Sequence, residues 1–137
     1  MNRRDMIVGA GLAIAATAVT ARADKPKTGS PVPANLPMAA TTCIRVAQAC
    51  LRHCLAMLAT GNPSMGGCAK AVADLIPAVE ALAAIAAGGS RHVAPLARVV
   101  AEIAKDCKAE CDKHVAMAPC KACADSCGEL IAEIAKA

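Results

Sequence analysis

The sequence predicts an all-α protein: an antiparallel up-down-up-down four-helix bundle with cysteines lining one half of its core. Three observations carry that prediction. The 137 residues include no Phe, Tyr or Trp, although 56% are hydrophobic. The core must therefore be built from Ala, Leu, Ile, Val, Met and nine Cys, mostly small or flexible fillers that suit close-packed helices better than sheets. Clusters of helix breakers divide the C-terminal hundred residues into four stretches, and within each the apolar residues recur at three- and four-residue steps.

The elements follow in chain order. Residues 1–23, "MNRRDMIVGAGLAIAATAVTARA", resemble a bacterial twin-arginine export leader: Arg3 and Arg4 precede an apolar run from Met6 to Val19, and Ala21-Arg22-Ala23 offers a cleavage site. The run is shorter than the ~20 residues that span a bilayer. It predicts export by the twin-arginine route to the periplasm, in a form already folded. Residues 24–38, "DKPKTGSPVPANLPM", are rich in Pro and read as a flexible tether. The domain then occupies 39–137.

Gly61-Asn62-Pro63-Ser64, Gly88-Gly89-Ser90 and Ala118-Pro119 separate helices expected over 39–60, 65–87, 91–116 and 119–136. Connections this short make neighbours antiparallel. Pro77 falls inside the second helix, where it should kink the helix or free a carbonyl. The inward stripes are Cys43, Ala47, Cys50, Cys54 and Met57; then Cys68, Val72, Leu75, Val79, Leu82 and Ala86; then Val93, Leu96, Val100, Ala104, Cys107, Cys111 and His114; and finally Cys120, Cys123, Cys127, Leu130, Ile131 and Ile134. The topology gathers all the cysteines but Cys50 and Cys43 within roughly 12 Å of one end of the bundle. Cys50 lies a turn deeper, and Cys43 falls among aliphatics without an i+4 partner. Val79, Leu82, Val93, Leu96, Val100, Ile103 and Ile134 line the opposite half.

Three chemistries compete for these thiols. Disulfides are usual for exported cysteines, but an odd count leaves one thiol over. Cysteines four apart on a helix also hold their Cβ atoms about 5–6 Å apart, wider than the ~3.8 Å of a disulfide. A redox centre would use Cys120-Lys121-Ala122-Cys123 at a helix start, leaving seven inward thiols unexplained. Metal binding explains the most. C-x-x-x-C occurs as Cys50/Cys54, Cys107/Cys111 and Cys123/Cys127, each able to hold a two-coordinate ion between its sulfurs. Soft thiolates select Cu(I). A zinc site would take four thiols at one point, and an iron–sulfur cluster likewise. A long stripe of pairs suits several Cu(I) ions, with a zinc or general soft-metal buffer as the alternative.

The stretches "ACLRHCLAML", "GNPSMGGCAKAV" and "AKDCKAECDKHVAMAPCKACADSC" together resemble the bacterial copper storage proteins, over about residues 40 to 136. The resemblance implies a cysteine-lined four-helix bundle that binds many Cu(I) ions. It also implies ligation by Cys50, Cys54, Cys68, Cys107, Cys111, Cys120, Cys123 and Cys127. Family members commonly continue the cysteine stripe where this chain has Val79, Val100, Ala104, Leu130 and Ile134, and carry a histidine where it has Met117. The comparison therefore implies a cysteine-poor member holding fewer ions, confined to one end.

Around that end Met57, Met65, Met117 and His114 are further candidate ligands, with His53 on the flank of its stripe; Cys43 is both a candidate ligand and a candidate inert thiol. His92 reads as a surface residue. Lys105, Lys108, Lys113 and Lys121, with Glu102, Glu110 and Asp112, read as a solvated face. Without the leader the chain carries 12 basic and 10 acidic residues. With no basic run or aromatic platform there is nothing to recommend nucleic acid as a partner, nor a membrane once the leader is removed. No Ser/His/Asp set, phosphate-binding glycine loop or paired carboxylates point to an enzyme. The expected partners are copper ions and a protein that delivers or accepts them; self-association is left open.

Overall fold

The computed structural model describes residues 32–137, so the leader and most of the tether lie outside the described residues. Four helices, α1 (Leu36–Ala59), α2 (Gly66–Ala87), α3 (Val93–Asp112) and α4 (Ala118–Ile134), form the bundle, with a single 3₁₀ turn at Pro63–Met65 before α2. Helices adjacent in sequence pack together, and α1 packs on α4, closing the ring. Among the described residues there is no strand, and no helix is long and apolar enough to cross a membrane.

Turn chemistry explains the sharp reversals. After α1, Gly61 adopts φ +86°, and the Asn62 N–H reaches back to the Met57 carbonyl at 3.2 Å. After α2, Gly89 adopts φ +63°, and the Ser90 N–H bonds the Ile85 carbonyl at 3.1 Å. Both are glycine-terminated helix ends of the Schellman type, in which the left-handed residue lets the chain satisfy a terminal carbonyl. Asn62 then accepts from the Ser64 N–H at 3.1 Å, starting the 3₁₀ turn.

The helix bounds depart from expectation most at the start of α1 and the end of α3. α1 starts at Leu36, inside the expected tether, because Leu36 is buried (1% exposed) against the core. Pro37 does not prevent this, since a proline in the first helical turn has no intrahelical partner to lose. α3 stops at Asp112 instead of running to 116. Tight bonds from Lys113 N–H to the Glu110 carbonyl and from His114 N–H to the Cys111 carbonyl end it. The reversal into Pro119 needs those residues as a turn. Pro77 does not interrupt α2; it lies on the exposed face, where water can satisfy the freed Ala73 carbonyl.

The core is divided as expected. Leu36, Leu75, Leu82, Leu130, Val72, Val79 and Val100 are fully buried, each worth about 1.5–3 kcal/mol of transfer free energy. Leu96, Ile103 and Ile131 pack at its edge. The other half is thiol. The charged face is solvated, with Lys105–Glu102, Lys108–Asp112, Lys113–Glu110 and Lys121–Asp125 pairing at 2.7–2.9 Å along their own helices. Such exposed pairs are screened by water and contribute little.

Candidate metal centre

All nine cysteines are free and inaccessible to solvent. On α1, Cys50 and Cys54 are one turn apart and hold their Sγ atoms 4.0 Å apart; on α3, Cys107 and Cys111 do the same. Contacts between helices join these pairs. Cys50 lies 3.8 Å from Cys68 on α2 and 4.0 Å from Cys120 on α4, and Cys68 lies 3.5 Å from Cys111 on α3.

Three groups of sulfurs result, with members of each within 4.8 Å of one another: Cys50, Cys54, Cys68 and Cys120; Cys50, Cys111 and Cys123; and Cys107, Cys123 and Cys127. Cys50 belongs to the first two groups and Cys123 to the last two, so eight thiols form one connected file. At a metal–sulfur bond of about 2.3 Å, sulfurs sharing an ion are about 3.8 Å apart in a tetrahedron, 4.0 Å in a trigonal plane and 4.6 Å on a line. The C-x-x-x-C pairs do not stand alone as linear sites. Every one has a third thiol within reach.

The α1–α4 register completes the file. Moving from Cys50 back two turns to Cys43 matches moving from Cys120 forward two turns to Cys127, and the Cys127 thiol donates to Cys43. Cys43 is therefore not isolated among aliphatics, as its sequence position suggests, but stands at the inner end of the file. Buried Ser126, whose hydroxyl bonds the Cys123 carbonyl at 3.0 Å, flanks it. The same register brings His53 Nε2 to 3.1 Å from Met117 Sδ at the mouth.

Burial pushes the Cys54 thiol up to about 11 and also raises Cys68 and Cys120, since a thiolate is disfavoured away from water. Cys123 goes the other way: hydrogen bonds from Cys107, Cys111 and Cys127 stabilise its anion. Cys43 is lowered by its bond from Cys127. The file thus contains thiols that burial holds neutral and two, Cys43 and Cys123, whose anions neighbouring thiols favour. Metal binding to such a set must release protons.

The family model of the copper storage proteins matches residues 33–137. The chain belongs to that family. No curated protein matches the sequence. In this copper storage protein, the eight cysteines implied by the resemblance are those that make up the three groups, and the ninth, Cys43, adjoins them. Cys120 and Cys123 of the C-x-x-C fall in different groups, so that motif spans two clusters and does not form a self-contained pair. Sulfur separations of 3.5–4.0 Å are also far from the ~2.05 Å of a disulfide.

The remaining candidates divide. Met65 is fully buried beside the start of α2, whereas Met57 and Met117 are half-buried. His114 sits in the turn after α3, which ends at Asp112, and joins none of the thiol groups. His53 is the residue that sequence reasoning underweighted. Its position on the flank of α1 pointed to solvent, while the cross-helix register turns it onto Met117. The pairing of Cys50 with Cys120 is the signal that would reveal it. His92 is exposed at the far end, as expected.

Proposed function

We propose that the chain sequesters several Cu(I) ions per molecule through its inward thiolates, as a store or buffer and not as a catalyst. The observation that carries this reading is the sharing of Cys50 and Cys123 between adjacent groups. A thiolate shared by two clusters can bridge two ions, so a file of nine sulfurs accommodates more than one ion without a dedicated set of ligands for each. Soft sulfur in an apolar, water-free interior favours Cu(I) over harder cations. The aliphatic half confines the ions to one end.

His53 and Met117, with Met57 and Met65 near them, stand where ions enter and leave. Imidazole and thioether are weaker Cu(I) ligands than thiolate, which suits them to pass ions inward and to release them to an accepting protein. The leader supports a periplasmic location reached by the twin-arginine route, with folding preceding export.

Anaerobic titration of the reduced protein with Cu(I), in competition with a chromophoric chelator, tests the reading. The expected uptake is several ions held tightly, about half to one per thiol. Binding of none or one would refute a store.

A further inference from the structure

The thiol file is not uniform along its length. At the mouth, four sulfurs converge; deeper in, only threes do. From Cys50, the sulfurs of Cys54, Cys68 and Cys120 lie at 4.0, 3.8 and 4.0 Å, close to the ~3.8 Å edge of a tetrahedral tetrathiolate. The electrostatics differ as well. Cys68 is the third residue of α2 and Cys120 the third of α4, so two helix N-termini face this group and favour the net negative charge of four thiolates around one divalent ion. Cys111, in the inner groups, lies in the last turn of α3, where the dipole has the opposite sign.

We propose that Cys50, Cys54, Cys68 and Cys120 form a tetrahedral site for one divalent d10 cation of the Zn²⁺ class, seated at the mouth of the file. Only one such ion fits. The inner groups are buried and three-membered, leaving a tetrahedral ion one thiolate short even where Cys50 bridges. Replacement of the mouth ion by copper is ligand exchange: zinc–sulfur bonds break as copper–sulfur bonds form, no electrons move, and the zinc leaves as the free cation. The site rests on the thiol geometry; only its replacement by copper rests on the copper reading.

Two probes test it on the reduced, metal-free chain. Zn²⁺ in competition with a chelator should saturate at one ion per chain. Cd²⁺ should give a sulfur-to-metal charge-transfer band that breaks at one equivalent, legible because the chain has no Trp or Tyr. Cys68→Ser should weaken Zn²⁺ by about 100-fold, the upper end of what changing even a ligand's supporting partner costs, and Cys120→Ser should do the same. Cys107→Ser should keep one ion at unchanged affinity while lowering copper capacity. Helicity by circular dichroism shows which variants are folded. No tight ion in the unaltered chain, two or more, or equal weakening by Cys107→Ser would overturn the site. Failure here with multiple Cu(I) ions still bound refutes the zinc site alone. One Zn²⁺ bound without multiple Cu(I) ions refutes the copper store alone.

Discussion

Cys54 and Cys123 are both buried on the thiol face, yet their surroundings drive them apart. Loss of water dominates at Cys54 over the hydrogen bonds from Cys50 and Cys120, and its thiol is raised to about 11. Cys123 collects hydrogen bonds from Cys107, Cys111 and Cys127 and is lowered. The raised groups have a consequence for the metal-free protein. A thiol whose pKa is higher folded than unfolded contributes stability that is fully present below the unfolded value of 9.0 and is lost as pH rises through about 11. The reduced, metal-free protein should therefore lose stability between pH 9 and 11, as read by denaturant unfolding at each pH. The metal-loaded protein, whose sulfurs are already deprotonated, should not show that loss. Parallel decline in both forms would contradict this account of the raised thiols. At the mouth, His53→Ala should slow Cu(I) uptake in stopped-flow experiments and leave the final capacity unchanged, because His53 lies beside Met117 and outside every thiol group. A fall in capacity would make His53 part of the store.

Among the elements, α2 carries the residue that local rules oppose most strongly. Pro77 denies the Ala73 carbonyl its partner, but it does so on the exposed face, and the helix continues to Ala87. Pro77→Ala should restore that bond and raise stability by about 2 kcal/mol, the ~3 kcal/mol propensity difference less the entropy that proline removes from the unfolded chain. Thermal unfolding of the metal-free protein measures it; no change or a loss would mean that the proline shapes α2 for its neighbours. The pairing of α1 with α4 has a larger effect on the site. One register places Cys50 on Cys120, Cys43 on Cys127 and His53 on Met117. A shift of one residue would rotate all three contacts out of line.

For the molecule as a whole, the division of the core separates folding from binding. Leu82 lies at the aliphatic end and is fully buried. Leu82→Ala should cost about 2–5 kcal/mol while leaving Cu(I) capacity intact. The double change of Cys107 and Cys111 to Ala should do the reverse, reducing capacity with helicity retained. Circular dichroism and copper titration of the two variants form the test, and a loss of helicity in the cysteine double variant would contradict a divided core. Copper should also raise the unfolding temperature of the unaltered protein, since ions bound only by the folded file stabilise it by mass action.

Helix number, the inward stripes and the gathering of thiols at one end were all legible in the sequence, because period and breakers are local properties and short connections leave one topology. The charged face and exposed His92 were legible for the same reason. Less legible was every feature that depends on how far one helix slides along another. Cys43 looked isolated because its own helix offers no nearby thiol; Cys127, on another helix, supplies one. His114 looked aligned because the stripe extrapolates past Asp112, where the chain turns. His53 looked exposed until Met117 was placed beside it. The sequence by itself therefore determined which faces are thiol and which are aliphatic, through the 3.6-residue repeat. Only the tertiary structure decided that four sulfurs meet at the mouth and threes beneath it. Ligand sets are defined by distances of a few ångströms across helices, and those distances follow from packing register, which no single helix encodes.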